Sequence, residues 1–126
     1  MIDLLKQTEM KVWNDTLKMM LDISDIEEYY NLKNQKRSVY HDHSKDKLIF
    51  LRNTWVKDKN GRSIYEGDIL KCKLSNGKYE NYLVVWDEEE CCFDSLNIDK
   101  SNFISPSIWN EQEIVGNIYQ NSMLEV

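Results

Sequence analysis

No apolar stretch in this chain approaches the roughly 20 residues needed to cross a bilayer, so a membrane-spanning helix is excluded. The first residues, Met1-Ile2-Asp3-Leu4-Leu5-Lys6, put an acid inside their only apolar stretch and have no basic leader before it. No secretory signal is therefore expected, and a cytoplasmic location is. Cysteine is scarce: Cys72 and the adjacent pair Cys91-Cys92 are the three in the chain. An odd count without a CxxC spacing argues against a disulfide framework. Cys72 and one of the pair are expected as small buried hydrophobes in strands. Proline occurs once and glycine four times, and neither an internal repeat nor a low-complexity run is present. Histidine is limited to His41 and His43. A thiol nucleophile would need one of them as its base, and they are far from any cysteine in sequence. On an extended segment the two imidazoles would share a face, but no clear third ligand lies nearby. No metal and no cofactor is expected.

What the chain does contain is a folded domain's worth of apolar and aromatic residues. Its 126 residues include 4 Trp, 7 Tyr and 3 Phe and are 41% hydrophobic. That is well above the disordered class and enough for one core, with or without a small appendage. The net charge is −6 and is unevenly spread. Up to Ser63 there are 12 basic and 10 acidic residues, and from Ile64 onward 4 basic and 12 acidic. A surface of that sign repels phosphate, which disfavours a nucleic-acid-coating role. Lys33, Lys36 and Arg37 form a local basic strip, but without interleaved aromatics it reads as a solvated loop.

Along the chain, Met1, Leu4, Leu5 and Thr8 recur at helical spacing. From Met10 to Leu32 two readings compete. One is a long helix capped by Asn14 or Asp15, which propensity favours; the other is a strand, a turn and a helix. Ser24-Asp25-Ile26-Glu27 has the form of a capping box, so a helix is expected to start near Asp25. Residues 33–47 read as a linker. Beyond it the pattern changes to strands. Leu48-Ile49-Phe50-Leu51 predicts a buried strand, and Asn60-Gly61 predicts a type I′ hairpin with positive φ at both residues. Leu70, Cys72 and Leu74 alternate with Lys71 and Lys73, and Asn76-Gly77 supplies a second hairpin signal. Leu83-Val84-Val85-Trp86 is apolar on both faces, which predicts a central strand. Cys91 to Leu96 and Glu113 to Ile118 complete the set. Five short strands with tight connections suggest a small, strongly bent barrel. The expected organisation is an N-terminal region over residues 1–47 (short strands, helix, linker) and a barrel domain over 48–126. The fold class is mainly β with a small α component.

Residues 56–70, VKDKNGRSIYEGDIL, resemble the signature of the YopX family, small proteins encoded by bacteriophages and prophages. Glu113-Ile114-Val115-Gly116-Asn117-Ile118-Tyr119-Gln120-Asn121 is similar to that family's closing motif. Lys11-Val12-Trp13-Asn14-Asp15 with Lys18-Met19 is similar to its opening one. The chain departs at Trp55, where the family usually has Gly, and at Ser122, where a Pro commonly follows the Asn. The resemblance implies a C-terminal SH3-like β-barrel behind a small N-terminal α/β region, phage or prophage origin, and no established activity. It also favours strand, turn and strand around Trp13 to Met20.

The central motif has a structural explanation. Gly61 and Gly67 permit backbone angles that a Cβ opposes, and Asn60 tolerates the left-handed region. Ile64, Ile69, Val115 and Ile118 are natural core positions, with Tyr65 and Gly116 among the same motif residues. Asp68 and Asn117 are suited to accepting hydrogen bonds from turn amides. Asp58, Glu66 and Asp68 could instead form a carboxylate site, but no nucleophile–base pair accompanies them. No enzyme activity is expected. The leading reading is a non-catalytic interaction module that binds a protein or itself through exposed aromatics, Trp55 and Trp109 being the candidates. A second is an acidic inhibitor that mimics nucleic acid through Asp87, Glu88, Glu89 and Glu90 on a host protein. A third, a small thiol enzyme, would have to combine Cys92 or Cys72 with His41 or His43.

Overall fold

A computed structural model describes residues 10–21, 46–97 and 102–120. The chain divides into two compact units, Met1–Arg52 and Asn53–Val126. The helices expected over residues 1–9 and from Asp25, the linker up to residue 45, and both histidines fall outside the described residues.

In the first unit, β1 (Lys11–Asn14) and β2 (Met19–Leu21) form an antiparallel hairpin, and β3 (Leu48–Leu51) pairs with the other side of β1. Strand, turn and strand therefore replace the long helix that propensity favours. The reason is Asn14. Its buried Oδ1 accepts the Thr16 and Leu17 amides at 3.1 and 3.0 Å, and its Nδ2 donates to Asp46 at 2.9 Å. Those turn amides would otherwise be free to start a helix. Lys18 closes the turn in the left-handed region, at φ 55. Val12, Trp13, Leu21 and Leu51 are buried. The apolar pattern predicts Leu48–Leu51 as the first strand of the barrel. Its hydrogen bonds run to β1 instead, and Phe50 is exposed.

The second unit begins with a hairpin of β4 (Asn53–Lys57) and β5 (Ser63–Tyr65). A four-stranded antiparallel sheet follows, in the order β8-β7-β6-β9. Its strands are β6 (Asp68–Lys73), β7 (Tyr79–Asp87), β8 (Cys92–Leu96) and β9 (Glu113–Asn117). A 3-10 helix, Pro106–Glu111, precedes β9. β7 is paired on both sides, as its two-sided apolar stretch predicts. Leu70 and Cys72 are buried while Lys71 and Lys73 are exposed, as the alternation predicts. The fold is thus mainly β. The expected closed barrel is not what the backbone hydrogen bonds form, because the described strands make three separate antiparallel sheets. Within β4, Trp55 N donates to Asn53 Oδ1 at 2.8 Å and Val56 N to Thr54 Oγ1 at 3.2 Å, where the β4–β5 register is irregular.

Both Asn-Gly corners are hairpins, but not of the type I′ geometry. Gly61 and Gly77 have φ 80 and 83, whereas Asn60 and Asn76 keep negative φ. Each corner has the same pair of bonds. Gly61 N donates to Asp58 O at 3.0 Å and Asp58 N to Arg62 O at 2.8 Å; Gly77 N donates to Leu74 O at 3.0 Å and Leu74 N to Lys78 O at 2.7 Å. This is a turn closed by one left-handed glycine, which needs positive φ only at that residue.

Ile64, Leu70, Val84, Trp109 and Ile114 make the core of this unit, with Val56, Phe93 and Ile104 packed against it. Ile69 is buried as expected, but Val115 and Ile118 are exposed. β9 carries a bulge. Gly116 faces Ile69 and Ile114 faces Leu70, which leaves Val115 as the extra residue turned outward.

Candidate functional site

The sequence motifs meet around the two ends of the β6–β9 pair. At one end stands Asp58, a buried carboxylate at the start of the β4–β5 turn. Its Oδ1 accepts the Asn60 and Arg62 amides at 3.0 and 2.9 Å, and its Oδ2 accepts the Ile114 amide, across the molecule in β9, at 3.1 Å. Lys59 N adds a bond to Gln112 O at 2.9 Å. Burial pushes the carboxyl pKa up, but the three amides and Arg62 outweigh it and hold Asp58 below the usual carboxylate range. Asp58 thus ties a turn to a strand 56 residues later.

At the other end is the β5–β6 corner. Asp68 Oδ2 accepts the amide of buried Tyr65 at 2.7 Å. Gly67 is left-handed at φ 89, donates to Val84 O at 2.8 Å and accepts from Ile118 N at 2.9 Å. A Cβ on Gly67 would lie 2.8 Å from Tyr119 Cε2. Asn117, opposite Asp68 in the ladder, holds that tyrosine in place by accepting the Tyr119 and Gln120 amides at 3.1 and 2.8 Å. Burial, with the Glu66 carboxylate adding to it, pushes the Tyr119 phenol pKa up. Tyr119 stands in the closing motif, but nothing in the sequence pairs it with Gly67.

The carboxylates of the motif do not assemble into a catalytic or metal centre. Asp58 and Asp68 lie at opposite ends of the β6–β9 pairing, with their oxygens directed at backbone amides. Among the described residues no group of three or more His, Cys, Asp or Glu could hold a metal ion. The two candidate tryptophans separate. Trp109 is fully buried, contrary to expectation, because the 3-10 helix turns it into the core. There its indole N–H donates to the buried Ser95 hydroxyl at 2.9 Å, which in turn donates to Ile104 O at 3.0 Å. Ser95 carries no sequence signal, being one serine in a polar stretch. Trp55 is 66% exposed and adopts φ 64, a left-handed conformation for a bulky residue inside a strand. In the acidic turn, Asp87 accepts the Glu89 and Glu90 amides at 3.0 and 3.1 Å, while Glu88, Glu89 and Glu90 are exposed.

A family model, described as YopX protein, matches residues 5–125. The chain belongs to the YopX family. No curated protein matches it. A solved structure, protein EF1440 from Enterococcus faecalis, is similar to this YopX chain at a TM-score of 0.54 and 19% identity. The likeness covers 90% of this chain and 94% of that one, and at this identity it speaks for the fold alone. For the YopX chain, the backbone at Trp55 is left-handed, a conformation that glycine adopts without steric cost.

The cysteines of this YopX chain are free thiols. Cys72 is buried as expected, whereas Cys91 and Cys92 are both exposed at the hairpin tip, so neither of the pair is a core residue. Cys91 adopts φ 52 as it leaves the turn. Burial and then Glu80 push the Cys72 thiol pKa up. Partial desolvation by its neighbours, then the Asp87, Asp94 and Glu90 carboxylates, push that of exposed Cys92 up. Both shifts run opposite to those of an activated nucleophile.

Proposed function

We propose that this YopX chain is a phage- or prophage-encoded, non-catalytic module of the host cytoplasm whose Asn53–Val126 unit binds a protein partner through Trp55. The observation that carries the reading is the cost of Trp55. A large apolar ring stands in solvent on a backbone conformation that disfavours any side chain, so the fold gains little from having tryptophan there. Exposed tryptophan is the residue type that most often anchors an interface. Support for reading the unit as an SH3-like, open barrel comes from its strand order. The β6–β7–β8 meander is followed by a 3-10 helix and a last strand that returns to β6. No helix among the described residues is long and apolar enough to cross a membrane.

The test is capture from lysates of infected or lysogenic cells by the immobilised chain, comparing wild type with Trp55→Ala and Trp55→Phe. The expected result is a protein retained by wild type and the Phe variant and lost with Ala. Equal retention by all three would refute the assignment of Trp55. The nucleic-acid-mimic reading is separated by the same capture with Glu88, Glu89 and Glu90 changed to Gln. Loss there, with Trp55→Ala unaffected, would favour the acidic hairpin instead.

A further inference from the structure

The Asn53–Val126 unit separates its charge along the strands. β6 runs away from the β5–β6 corner, and Lys73 pairs with Tyr79 at its far end. β9 begins at that same far end, with Glu113 opposite Lys71. The β4–β5 turn is fastened there too, through Asp58 to Ile114 and Lys59 to Gln112. Lys57, Lys59, Arg62, Lys71, Lys73 and Lys78, all exposed, therefore gather at one end. They are every basic residue that the structure describes in this unit. Four carboxylates share this end, Asp58, Glu80, Glu111 and Glu113, so the six cations exceed them by two. Glu113 pairs with Lys59 at 3.6 Å, and Glu80 is turned towards Tyr82 and Asn97, which donate to it. Exposed Tyr79 lies among the cations, with Lys71 Nζ 4.5 Å from its ring centroid.

At the opposite end, the β7–β8 hairpin presents Glu88, Glu89 and Glu90 to solvent, with Asp94 beside them in β8 and no described Lys or Arg of the unit nearby. β7 spans nine residues between the two ends, which at the usual rise is about 26 Å. That is several times the roughly 8 Å screening length at physiological salt. Each end therefore meets a partner on its own charge rather than on the chain's net −6.

We infer that the basic end is a docking surface for the acidic β7–β8 hairpin of a second copy, so that the chain self-associates head to tail. A narrow tip with three exposed glutamates suits a patch of this size. A long nucleic acid would run on towards the acidic end and be repelled. Two different surfaces form the contact, so it is heterologous and can repeat. The contact goes beyond partner binding at Trp55 and does not involve that residue.

The experiment is sedimentation of the full chain over a range of concentrations, at about 20 mM and about 500 mM NaCl, a span over which such contacts are strongly screened. Two variants accompany it: Lys73→Glu with Lys78→Glu, and Glu88→Lys with Glu89→Lys. All four positions are exposed, so folding is retained and is checked by circular dichroism. The expected result is a mass that rises with concentration at low salt, with association at least about tenfold weaker at high salt. Each variant alone remains monomeric. An equimolar mixture associates again, because the intact acidic tip of the first meets the intact basic end of the second. Trp55→Ala associates like wild type. A monomer at low salt, self-association undiminished in either variant, or a mixture that stays monomeric would each overturn the inference. So would a labelled single-stranded oligonucleotide that binds more tightly than the chain binds itself and is lost with Lys73→Glu and Lys78→Glu.

Discussion

Replacing Asp58 tests a buried polar group that links two distant parts of the second unit. Its carboxylate accepts three backbone amides, and they are not equivalent. The Asn60 and Arg62 amides belong to a turn with exposed residues, where water can take over. The Ile114 amide is buried and would be left without an acceptor. A buried donor stripped of its partner costs about 1–3 kcal/mol, and each exposed bond about 0.5 kcal/mol, so Asp58→Ala should destabilise the unit by about 2–4 kcal/mol. Asp58→Asn keeps one oxygen but sets an N–H against an N–H on the other side, and should cost about 1–2 kcal/mol. The sign of the pH dependence follows from the pKa. Asp58 is held below the ordinary carboxyl value of 3.8 in the folded state, so its stabilisation is present above that pH and is lost as pH falls through the lower, folded value. The gap between wild type and Asp58→Asn should therefore be constant near neutrality and narrow below about pH 4. Urea unfolding followed by tryptophan fluorescence at pH 7, 5 and 3 measures this. An Asp58→Ala protein within about 0.5 kcal/mol of wild type, or a gap that widens in acid, would refute the role assigned to the carboxylate.

Three other outcomes are expected. Gly67→Ala should cost about 2–4 kcal/mol, since it adds a clash with Tyr119 to the cost of a side chain at φ 89. In a Tyr119→Ala background only the backbone cost of about 1–2 kcal/mol should remain, and an additive double-mutant cycle would contradict the contact. Ser95→Ala should destabilise by about 1–3 kcal/mol by orphaning the Trp109 indole N–H, measured by thermal unfolding, while Ser95→Thr should recover part of it. Cys92 is exposed, yet with its pKa pushed above the ordinary thiol value it should alkylate more slowly at pH 7 than a free cysteine does. Faster-than-free reaction with iodoacetamide would reopen the thiol-enzyme reading.

Much of this fold was legible because its signals are local. Alternation along β6, the two-sided apolar stretch of β7 and the glycines at the hairpin corners depend on near neighbours in the chain, and each appears where the pattern puts it. The β1–β2 hairpin was not legible from propensity. Leu, Met and Lys favour helix there, and one asparagine side chain at the turn, with β3 as an added partner, outweighs them. The turn type at Asn60 was missed because Asn permits positive φ without requiring it.

By itself the amino-acid order determined the β class, the corners and the family, since motif order and periodicity are properties of the chain alone. Tertiary structure decided which of two loop-flanked tryptophans is core and which is surface, because burial depends on what the 3-10 helix packs against. It also decided that Asp58 reaches Ile114, that Tyr119 covers Gly67, and that six cations scattered over 22 residues collect at one end of a sheet. These are meetings between residues distant along the chain, and only the pairing register brings them together.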